Sequence, residues 1–211
     1  ESLTRAQRAI DDGLNQKEIA PVTIRTRRGE HTVSVDEQPH KANLEKIPQL
    51  RPAFAENGTI TPANSSSISD GASALLLASE AAVEAHGLTA RARIVAHSRN
   101  SLAPEAFTLA PIGAAEDVLA KAGWTVADVD LWEINEAFAM VTMLTMDALK
   151  LDPACVNVHG GACAQGHPIG STGARVIVTL MHDLGHYGKK RGVAALCIGG
   201  GEATAVAIEL V

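Results

Sequence analysis

The sequence predicts an α/β fold, and three features carry this prediction. Stretches with apolar residues at helical spacing alternate with short apolar runs of strand length over most of the 211 residues. The clearest predicted strands are 131–134, 193–198 and 203–211, and a glycine-rich turn joins the last two. Hydrophobic residues make up 46% of the chain and charged residues 20%, a balance typical of a globular protein with its own core.

The first sixty residues are predicted to form a different module with little regular structure. Apolar side chains at helical spacing predict an amphipathic helix over 1–14, and 22–26 with 31–35 predict a hairpin around Gly29. Prolines then interrupt the pattern up to about residue 61, which is typical of a functional loop.

Helix ends are visible at several places farther along the chain. Asp70 and Gly87 are placed to begin and end an Ala- and Leu-rich helix over 71–86. A strand over 91–97 and a helix over 113–122 are predicted to follow it.

The C-terminal part begins with a capping signal. Thr125 followed three residues later by Asp128 resembles a capping box ahead of the strand 131–134. A Met-rich helix is predicted from Asn135 to about residue 150, and a last helix over 170–186.

Charge and cysteine usage exclude several classes of protein. Eighteen Lys and Arg against twenty-four Asp and Glu give a net charge of -6, which argues against nucleic acid or an anionic membrane as the main partner. The apolar runs fall short of the ~20 residues that span a bilayer. Three cysteines without a scaffold spacing favour a reducing compartment, and we expect a cytoplasmic location.

The start of the chain predicts an upstream part that is absent. Residue 1 is Glu rather than Met, which indicates a processed, truncated or nicked chain or a boundary chosen for expression. The first helix also begins without a preceding cap.

The glycines at 199–201 have two interpretations. Glycine-rich loops bind phosphates when a helix follows them, but here a strand follows, so the dinucleotide and Walker patterns both fail. A purely structural hairpin turn and a turn whose N–H groups face a site both remain open.

Four potential metal ligands recur at intervals of four residues: Cys155, His159, Cys163 and His167. On one helix they would form a zinc-binding face. Glycines and a proline among them disfavour such a helix, and the spacing matches no common structural zinc pattern. Buried thiols and ordinary histidines are the alternative, and we expect no metal.

Three residues have chemistry that a catalytic site could use. His167, fixed between Gly166 and Pro168, could act as a base near neutral pH, and Cys197 at a strand end could exchange a proton. Asn135 could orient a water or an oxyanion. Each also has a structural interpretation: a histidine at a helix start, a core cysteine and a helix N-cap.

Three motifs in order and spacing closely resemble the C-terminal signature motifs of the thiolase family. They are Asn135-Glu-Ala-Phe-Ala, Gly160-Gly-Ala-Cys-Ala-Gln-Gly-His-Pro-Ile-Gly and Cys197-Ile-Gly-Gly-Gly. The resemblance implies the layered α/β/α/β/α thiolase fold. It assigns residues 1–67 to the end of the loop domain, 68–90 to the last part of the N-terminal core domain and 91–211 to the C-terminal core domain, with the N-terminal half absent.

The resemblance also implies an activity, the reversible Claisen condensation of acetyl-CoA with an acyl-CoA. The nucleophilic cysteine would lie in the absent half, and His167 would activate it. Cys197 would exchange the proton of the acetyl methyl group. By the resemblance, His167 and a water on Asn135 form one oxyanion hole, and the N–H of Gly199 contributes to a second.

Coenzyme A thioesters would be substrates, and no separate cofactor is expected. The resemblance places Ser66 against the pantetheine and Phe138 in the thioester pocket. Pro39 stands where the family often has an Arg near the nucleotide, so Lys41, Lys46 or Arg25 could replace that contact. His159 stands where an Asn is common, and Gln165 and Glu202 are also less usual.

Partners follow from the same resemblance. We expect a homodimer or homotetramer and a companion fragment, the N-terminal half of the same enzyme. One alternative is a non-catalytic thiolase-like subunit that binds acyl-CoA or scaffolds a complex. A ketosynthase-like condensing enzyme is another, although those enzymes typically use different residues in place of the Cys197 motif.

Overall fold

The computed structural model describes residues 1–211 and contains seven helices, six strands and four short 3-10 turns. The helices are α1 (Ser2–Asp11), α2 (Gln38–Lys41), α3 (Glu80–His86), α4 (Ala110–Ala122), α5 (Ala139–Leu149), α6 (Ala162–Gln165) and α7 (Thr172–His186). The strands are β1 (Val22–Thr26), β2 (Gly29–Val33), β3 (Ala92–Ser101), β4 (Leu131–Ile134), β5 (Arg191–Ile198) and β6 (Glu202–Leu210). The 3-10 turns are Leu44–Gln49, Pro104–Leu109, Val126–Asp128 and Pro153–Cys155. None of the helices has the length and apolar character needed to cross a membrane.

A four-stranded sheet in the order β3-β6-β5-β4 forms the centre of the C-terminal part. Strands β4 and β5 are parallel, and the other two pairings are antiparallel. Successive residues of β5 point to opposite faces, so Val193 and Ala195 pack with α4 while Ala194 packs with α7. Both faces are therefore covered by helices, and the predicted α/β class is confirmed.

Helix α1, near the start of the chain, is anchored to the C-terminal part. Ala6 and Ala9 are buried on the inner face of α1. A Cβ at Gly160 would lie 2.6 Å from the Ser2 carbonyl oxygen and 2.8 Å from the Ala6 Cβ, so only glycine allows α1 to pack this closely. The predicted hairpin is confirmed as β1 and β2, which pair antiparallel from Val22 with Val33.

The prediction of a helix over 71–86 is wrong for its first part. Helix α3 begins only at Glu80, where the Ser79 hydroxyl caps it, and Asp70 caps nothing. Leu76 and Leu77 are 83% and 70% exposed, so no packed surface supports the preceding segment. A short helix depends on such packing more than on propensity, which explains the irregular backbone there. Gly87 ends the helix in a left-handed conformation as expected.

Other predicted boundaries also need correction, and two of them lie near the candidate site residues. Helix α5 begins at Ala139 rather than at Asn135, with Phe138 in the N-cap position. The N-cap interpretation of Asn135 is therefore wrong. Helix α7 begins at Thr172, two residues later than predicted, because the intervening residues form a turn after Pro168.

Candidate active site

Asn135 and Cys197 lie at the carboxyl ends of two neighbouring parallel strands. Ile134 is opposite Ala195 in the β4–β5 ladder, and the N–H of Asn135 donates to the Ala195 carbonyl at 2.9 Å. Cys197 follows two residues later on β5 and is buried. The carboxyl edge of parallel strands is where α/β proteins place their sites, because the loops that follow are free to vary.

The side-chain amide of Asn135 is buried and unpaired. The residue is 1% exposed, and neither Oδ1 nor Nδ2 has a hydrogen-bond partner in the protein. Leaving a buried polar group unpaired costs about 1–3 kcal/mol. A cost of this kind is typical of a group whose partner is a water or a ligand.

His167 lies in a short bend between Gly166 and α7. Its Nδ1 is 2.7 Å from the Thr172 hydroxyl, while Nε2 makes no hydrogen bond within the protein. Burial lowers the pKa of His167 below its usual 6.5, and the nearby positive charge of Arg175 lowers it further. The imidazole is therefore neutral near pH 7, the form in which it can accept a proton.

Residues 65–69, here named the serine segment, connect His167 with the start of α5. The N–H and the hydroxyl of Ser66 both donate to the Ala137 carbonyl at 3.1 Å. One residue later, the Ser67 carbonyl accepts from the N–H of His167 at 3.1 Å. The serine segment thus brings Ser66 and His167 next to the loop that carries Asn135.

Phe138 belongs to a small aromatic cluster beside the serine segment. Its ring lies 6.3 Å from the rings of both Phe54 and Phe107, and its backbone pairs with Ser65. Edge-on aromatic contacts at this separation are favourable. The cluster gives this side of the site an apolar wall.

Gly199 lies in the tight turn between β5 and β6. The predicted hairpin turn is confirmed, and its N–H takes no part in the backbone hydrogen bonds of the turn. The neighbouring Gly201 has φ +96°, and a Cβ there would collide with the Leu102 carbonyl oxygen. Gly199 is exposed, and nothing lies within 4 Å of the position that a Cβ would take there.

The contacts connect the predicted residues in two pairs. Asn135 and Cys197 are joined through the sheet, and Ser66 is joined to His167 through the serine segment, which also touches Phe138. No hydrogen bond links His167 to Cys197.

The thiols are held in the protonated form. Burial raises the pKa of the Cys197 thiol above its usual value. Burial and the neighbouring Glu136 carboxylate raise the pKa of Cys163 more strongly. Neither thiol is therefore a ready thiolate nucleophile at neutral pH, while Cys197 can donate a proton.

The four-residue repeat of potential ligands does not converge on a metal site. No group of three or more His, Cys, Asp or Glu has the geometry to hold a metal ion. Between Cys155 and His167 only α6 is helical. The two ring nitrogens of His159 instead face Asp183 Oδ1 at 2.6 Å and the Tyr187 hydroxyl at 3.0 Å.

Two residues that build this region were not singled out in the sequence. Glu136 accepts hydrogen bonds from the Ser2 hydroxyl at 2.8 Å and from the N–H of Cys163 at 3.0 Å. It thereby holds α1 against the turn before His167. Thr172 contacts the imidazole itself. Glu136 lies inside a recognised motif, but the partner of Thr172 depends on the fold of the bend.

A cavity of about 370 Å³ opens beside the serine segment. Lys41 and Lys46 line one part of it, and Ser65 and Ser67 line another. Arg25, the third basic residue considered above, is paired with Glu30 at 2.8 Å on the exposed hairpin. The cavity therefore offers positive charge and hydroxyl groups to an elongated anionic ligand.

Two family models match the chain and together cover nearly all of it. "Thiolase, N-terminal domain" matches residues 1–81, and "Thiolase, C-terminal domain" matches residues 88–210. The chain belongs to the thiolase family. The prediction made from the three motifs is confirmed.

Individual thiolase relatives agree over the whole chain. It is 46% identical to mouse (Mus musculus) cytosolic acetyl-CoA acetyltransferase and 41% identical to the mitochondrial 3-ketoacyl-CoA thiolase of Bos taurus. Each alignment covers 99% of this chain and 53% of the relative. The thiolase chain thus spans about half the length of these relatives.

The thiolase fold is confirmed by comparison with a solved structure. The acetyl-CoA acetyltransferase of Bacillus anthracis superposes with a TM-score of 0.95 at 41% sequence identity. The match covers 100% of this thiolase chain and 54% of the Bacillus chain.

Proposed function

We propose that this thiolase is an acetyl-CoA C-acetyltransferase, which condenses acetyl-CoA with an acyl-CoA reversibly. The observation that carries the proposal is the buried, unpaired amide of Asn135 beside Cys197 at the carboxyl edge of β4 and β5. A neutral His167 is tied to the same loop by the serine segment. The names of the mouse and Bacillus relatives support acetyl-CoA as the substrate.

In the first half-reaction, His167 serves as the general base. Its Nε2 takes the proton of a nucleophilic cysteine, whose sulfur attacks the thioester carbonyl of acetyl-CoA. The bond between that carbon and the CoA sulfur breaks, and the leaving CoA takes a proton from the Cys197 thiol, which becomes a thiolate while His167 keeps its proton. The acetyl group is then carried on the nucleophile as a thioester.

In the second half-reaction, Cys197 exchanges the proton of the substrate methyl group. Its thiolate removes that proton from a second acetyl-CoA, and the carbanion attacks the acetyl-enzyme. A carbon–carbon bond forms, and the bond to the nucleophile's sulfur breaks. The departing thiolate then takes the proton held by His167, which leaves acetoacetyl-CoA, restores the nucleophile's thiol and returns His167 to its neutral form, while Cys197 keeps the methyl proton as a thiol. Thiolysis is the reverse, and there the protonated Cys197 is the form required.

The oxyanions of both half-reactions need hydrogen-bond donors, and the site offers them. A water on the Asn135 amide and the Nε2–H of protonated His167 would bind the enolate oxygen. The free N–H of Gly199 would bind the oxygen of the tetrahedral intermediate. One such donor contributes about 10²–10³ in rate.

Coenzyme A is proposed to bind along the cavity that the serine segment borders, whose lining includes Lys41, Lys46, Ser65 and Ser67. Lys41 and Lys46 in the cavity would lie near the phosphates. We place the pantetheine against Ser66 and the thioester beside Phe138, which lie outside the cavity lining but adjoin it through Ser65 and Ser67. Opposite charge and hydroxyl groups in a concave site suit a long anionic thioester.

We assign the nucleophilic cysteine to a companion N-terminal half. Neither Cys163 nor Cys197 is hydrogen-bonded to the imidazole of His167, and burial raises the pKa of both thiols, so neither is placed to be the nucleophile that His167 activates. Apolar side chains around the serine segment are also uncovered, since Ile68 is 100% exposed and Ile169 is 80% exposed. A companion half would cover them. The domain division given above, a homodimer or homotetramer, and a cytoplasmic location as in the mouse relative belong to the same proposal.

A non-catalytic acyl-CoA-binding or scaffold subunit is the second candidate. It is disfavoured because an unpaired buried amide at Asn135 costs stability and brings a binding module no benefit.

Reconstitution tests the proposal. The chain is combined with the N-terminal half of its precursor, or fused to the corresponding half of the mouse relative, and thiolysis of acetoacetyl-CoA is measured. We expect activity only in the combined protein, and a loss of at least 10²-fold for Cys197→Ser. Cys155→Ser is the control and should retain activity, because Cys155 lies outside all three motifs.

Three outcomes would contradict the proposal. Full thiolysis by the chain alone would remove the need for a companion half. Undiminished activity of Cys197→Ser would remove the role of that thiol, and binding of acetyl-CoA without any turnover in the combined protein would favour the non-catalytic candidate.

A further inference from the structure

The imidazole of His167 is held at one nitrogen by a threonine that is itself part of α7. Nδ1 of His167 lies 2.7 Å from the Thr172 hydroxyl oxygen, and that oxygen lies 2.9 Å from the Pro168 carbonyl oxygen. Thr172 is buried in the first turn of α7, so its hydroxyl does not exchange partners with solvent.

The chemistry of the three atoms restricts where the protons are. A carbonyl oxygen can only accept, so a hydroxyl that bonds to Pro168 donates its single proton there. The same hydroxyl then accepts from Nδ1–H of His167. This arrangement leaves a lone pair on Nε2, the nitrogen that faces away from Thr172.

The opposite arrangement fails once the imidazole becomes charged. If the hydroxyl donated to Nδ1, it would have to turn when His167 takes up a second proton, since both nitrogens are then donors. The Pro168 oxygen also accepts from the N–H groups of Ser171 and Thr172, so it is a strongly engaged acceptor fixed in place. With the hydroxyl directed at Pro168, nothing moves when the charge of His167 changes.

We propose that Thr172 is a positioning residue that keeps a proton on Nδ1 of His167 and thereby makes Nε2 the nitrogen that exchanges protons with the substrate. The proposal rests on the proposed function in one respect, the role of His167 as the base. The neutral and the charged imidazole of His167 make the same hydrogen bond to the Thr172 hydroxyl, so proton uptake at Nε2 requires no reorganisation of the neighbouring groups.

The first test reads the tautomer directly. Protein labelled with ¹⁵N in the histidine rings is studied by NMR near neutral pH, and the His167 signals are assigned from their absence in His167→Asn. We expect a protonated Nδ1 and a bare Nε2 in the wild type and in Thr172→Ser. A bare Nδ1 in the wild type would overturn the proposal, whatever the activity of the protein.

The second test uses kinetics of the combined protein. Thr172→Val keeps the shape and removes the hydroxyl, and we expect thiolysis kcat to fall roughly 10- to 100-fold with KM changed less than about twofold, the size of effect seen when an orienting partner is lost. Thr172→Ser should restore kcat to within about threefold. Thr179→Val is the matched control, because Thr179 is on the same helix and its hydroxyl bonds to Glu18 at 2.8 Å.

The two tests separate this inference from the proposed function. An inactive wild type with the expected tautomer would contradict the thiolase activity and leave the proton placement standing. An active wild type with unchanged kcat and an unchanged tautomer in Thr172→Val would contradict the role of Thr172 alone.

Discussion

The side chain of Asn157 forms two hydrogen bonds to the backbone of Ile134. Its Oδ1 accepts from the Ile134 N–H and its Nδ2 donates to the Ile134 carbonyl, each at 2.8 Å. Asn157 thereby fixes the end of β4, from which Asn135 projects. The side-chain amide of Asn157 is thus paired with backbone groups. The side-chain amide of Asn135, the residue that follows Ile134, has no partner in the protein.

These two asparagines should therefore respond differently to truncation. We expect Asn157→Ala to lower the free energy of unfolding by about 1–3 kcal/mol, because the buried Ile134 N–H loses its partner, whereas the Ile134 carbonyl still accepts from the Thr142 hydroxyl at 3.2 Å. Asn135→Ala should leave stability nearly unchanged and lower kcat of the combined protein by about 10²–10³, as expected for a lost oxyanion contact. Urea unfolding and thiolysis rates measure both effects. A large loss of stability in Asn135→Ala would indicate a structural amide instead.

The pH dependence of thiolysis should reflect the lowered pKa of His167. The base must be neutral, so the rate falls as pH drops through the pKa of His167, which burial and Arg175 place below 6.5. We expect the acid limb of kcat/KM below pH 6.5. Arg175→Gln should move that limb upward, because the positive charge that opposes protonation is removed. A limb at or above pH 6.5 in the wild type would contradict this assignment.

Glu133 should destabilise the protein more as pH rises. Burial raises its pKa well above 4.5, the negative charge of Asp183 raises it further, and Arg175 opposes the shift only from 4.0 Å. The folded state therefore binds the Glu133 proton more tightly than the unfolded state does. The stability that protonated Glu133 contributes is fully present below pH 4.5 and is lost as pH rises to the raised pKa.

Replacing this carboxyl by an amide should relieve that cost. We expect Glu133→Gln to raise Tm by roughly 2–4 °C per 1 kcal/mol gained, with a gain that grows above pH 4.5 and vanishes below it. Thermal unfolding across the pH range measures it, with the exposed Glu116→Gln as the control. A gain that is equal at all pH values would exclude the ionisation as its cause.

The turn after β5 should tolerate a methyl group at one glycine and not at another. Gly201 has φ +96° and a Cβ there would meet the Leu102 carbonyl oxygen, so Gly201→Ala should cost about 1–3 kcal/mol. The Cβ introduced by Gly199→Ala would meet nothing within 4 Å, so the Tm of this variant should stay within about 2 °C of the wild-type value. Equal Tm values for the two variants would contradict the description of this turn.

Much of the fold could be predicted from local signals. The limits of β4 and the end of α4 at Gly123 follow from apolar runs and a glycine in the left-handed region. The irregular backbone of the segment before α3 could not be predicted, because its residues have a helical pattern. A helix there would need a surface to pack its apolar side chains against, and the described residues leave Leu76 and Leu77 exposed. Propensity alone does not decide such a case.

The candidate site residues were recognised through their motifs, whereas the contacts that support them were not predicted. Asn135, His167 and Cys197 stand in recognisable patterns, but spacing could not distinguish a capping asparagine from a free one. The Thr172 hydroxyl reaches His167 only because the chain bends at Pro168, a path that residue patterns do not specify.

The serine segment has a consequence for protein engineering. Because Ser66 holds the start of α5 and Ser67 holds His167, a graft or insertion between them would alter the proposed acyl pocket and the proposed base together. Under the proposed function, attempts to admit bulkier acyl chains are better directed at Phe54 and Phe107, whose rings border Phe138 and make none of these backbone bonds. Such changes leave the hydrogen bonds that hold His167 intact.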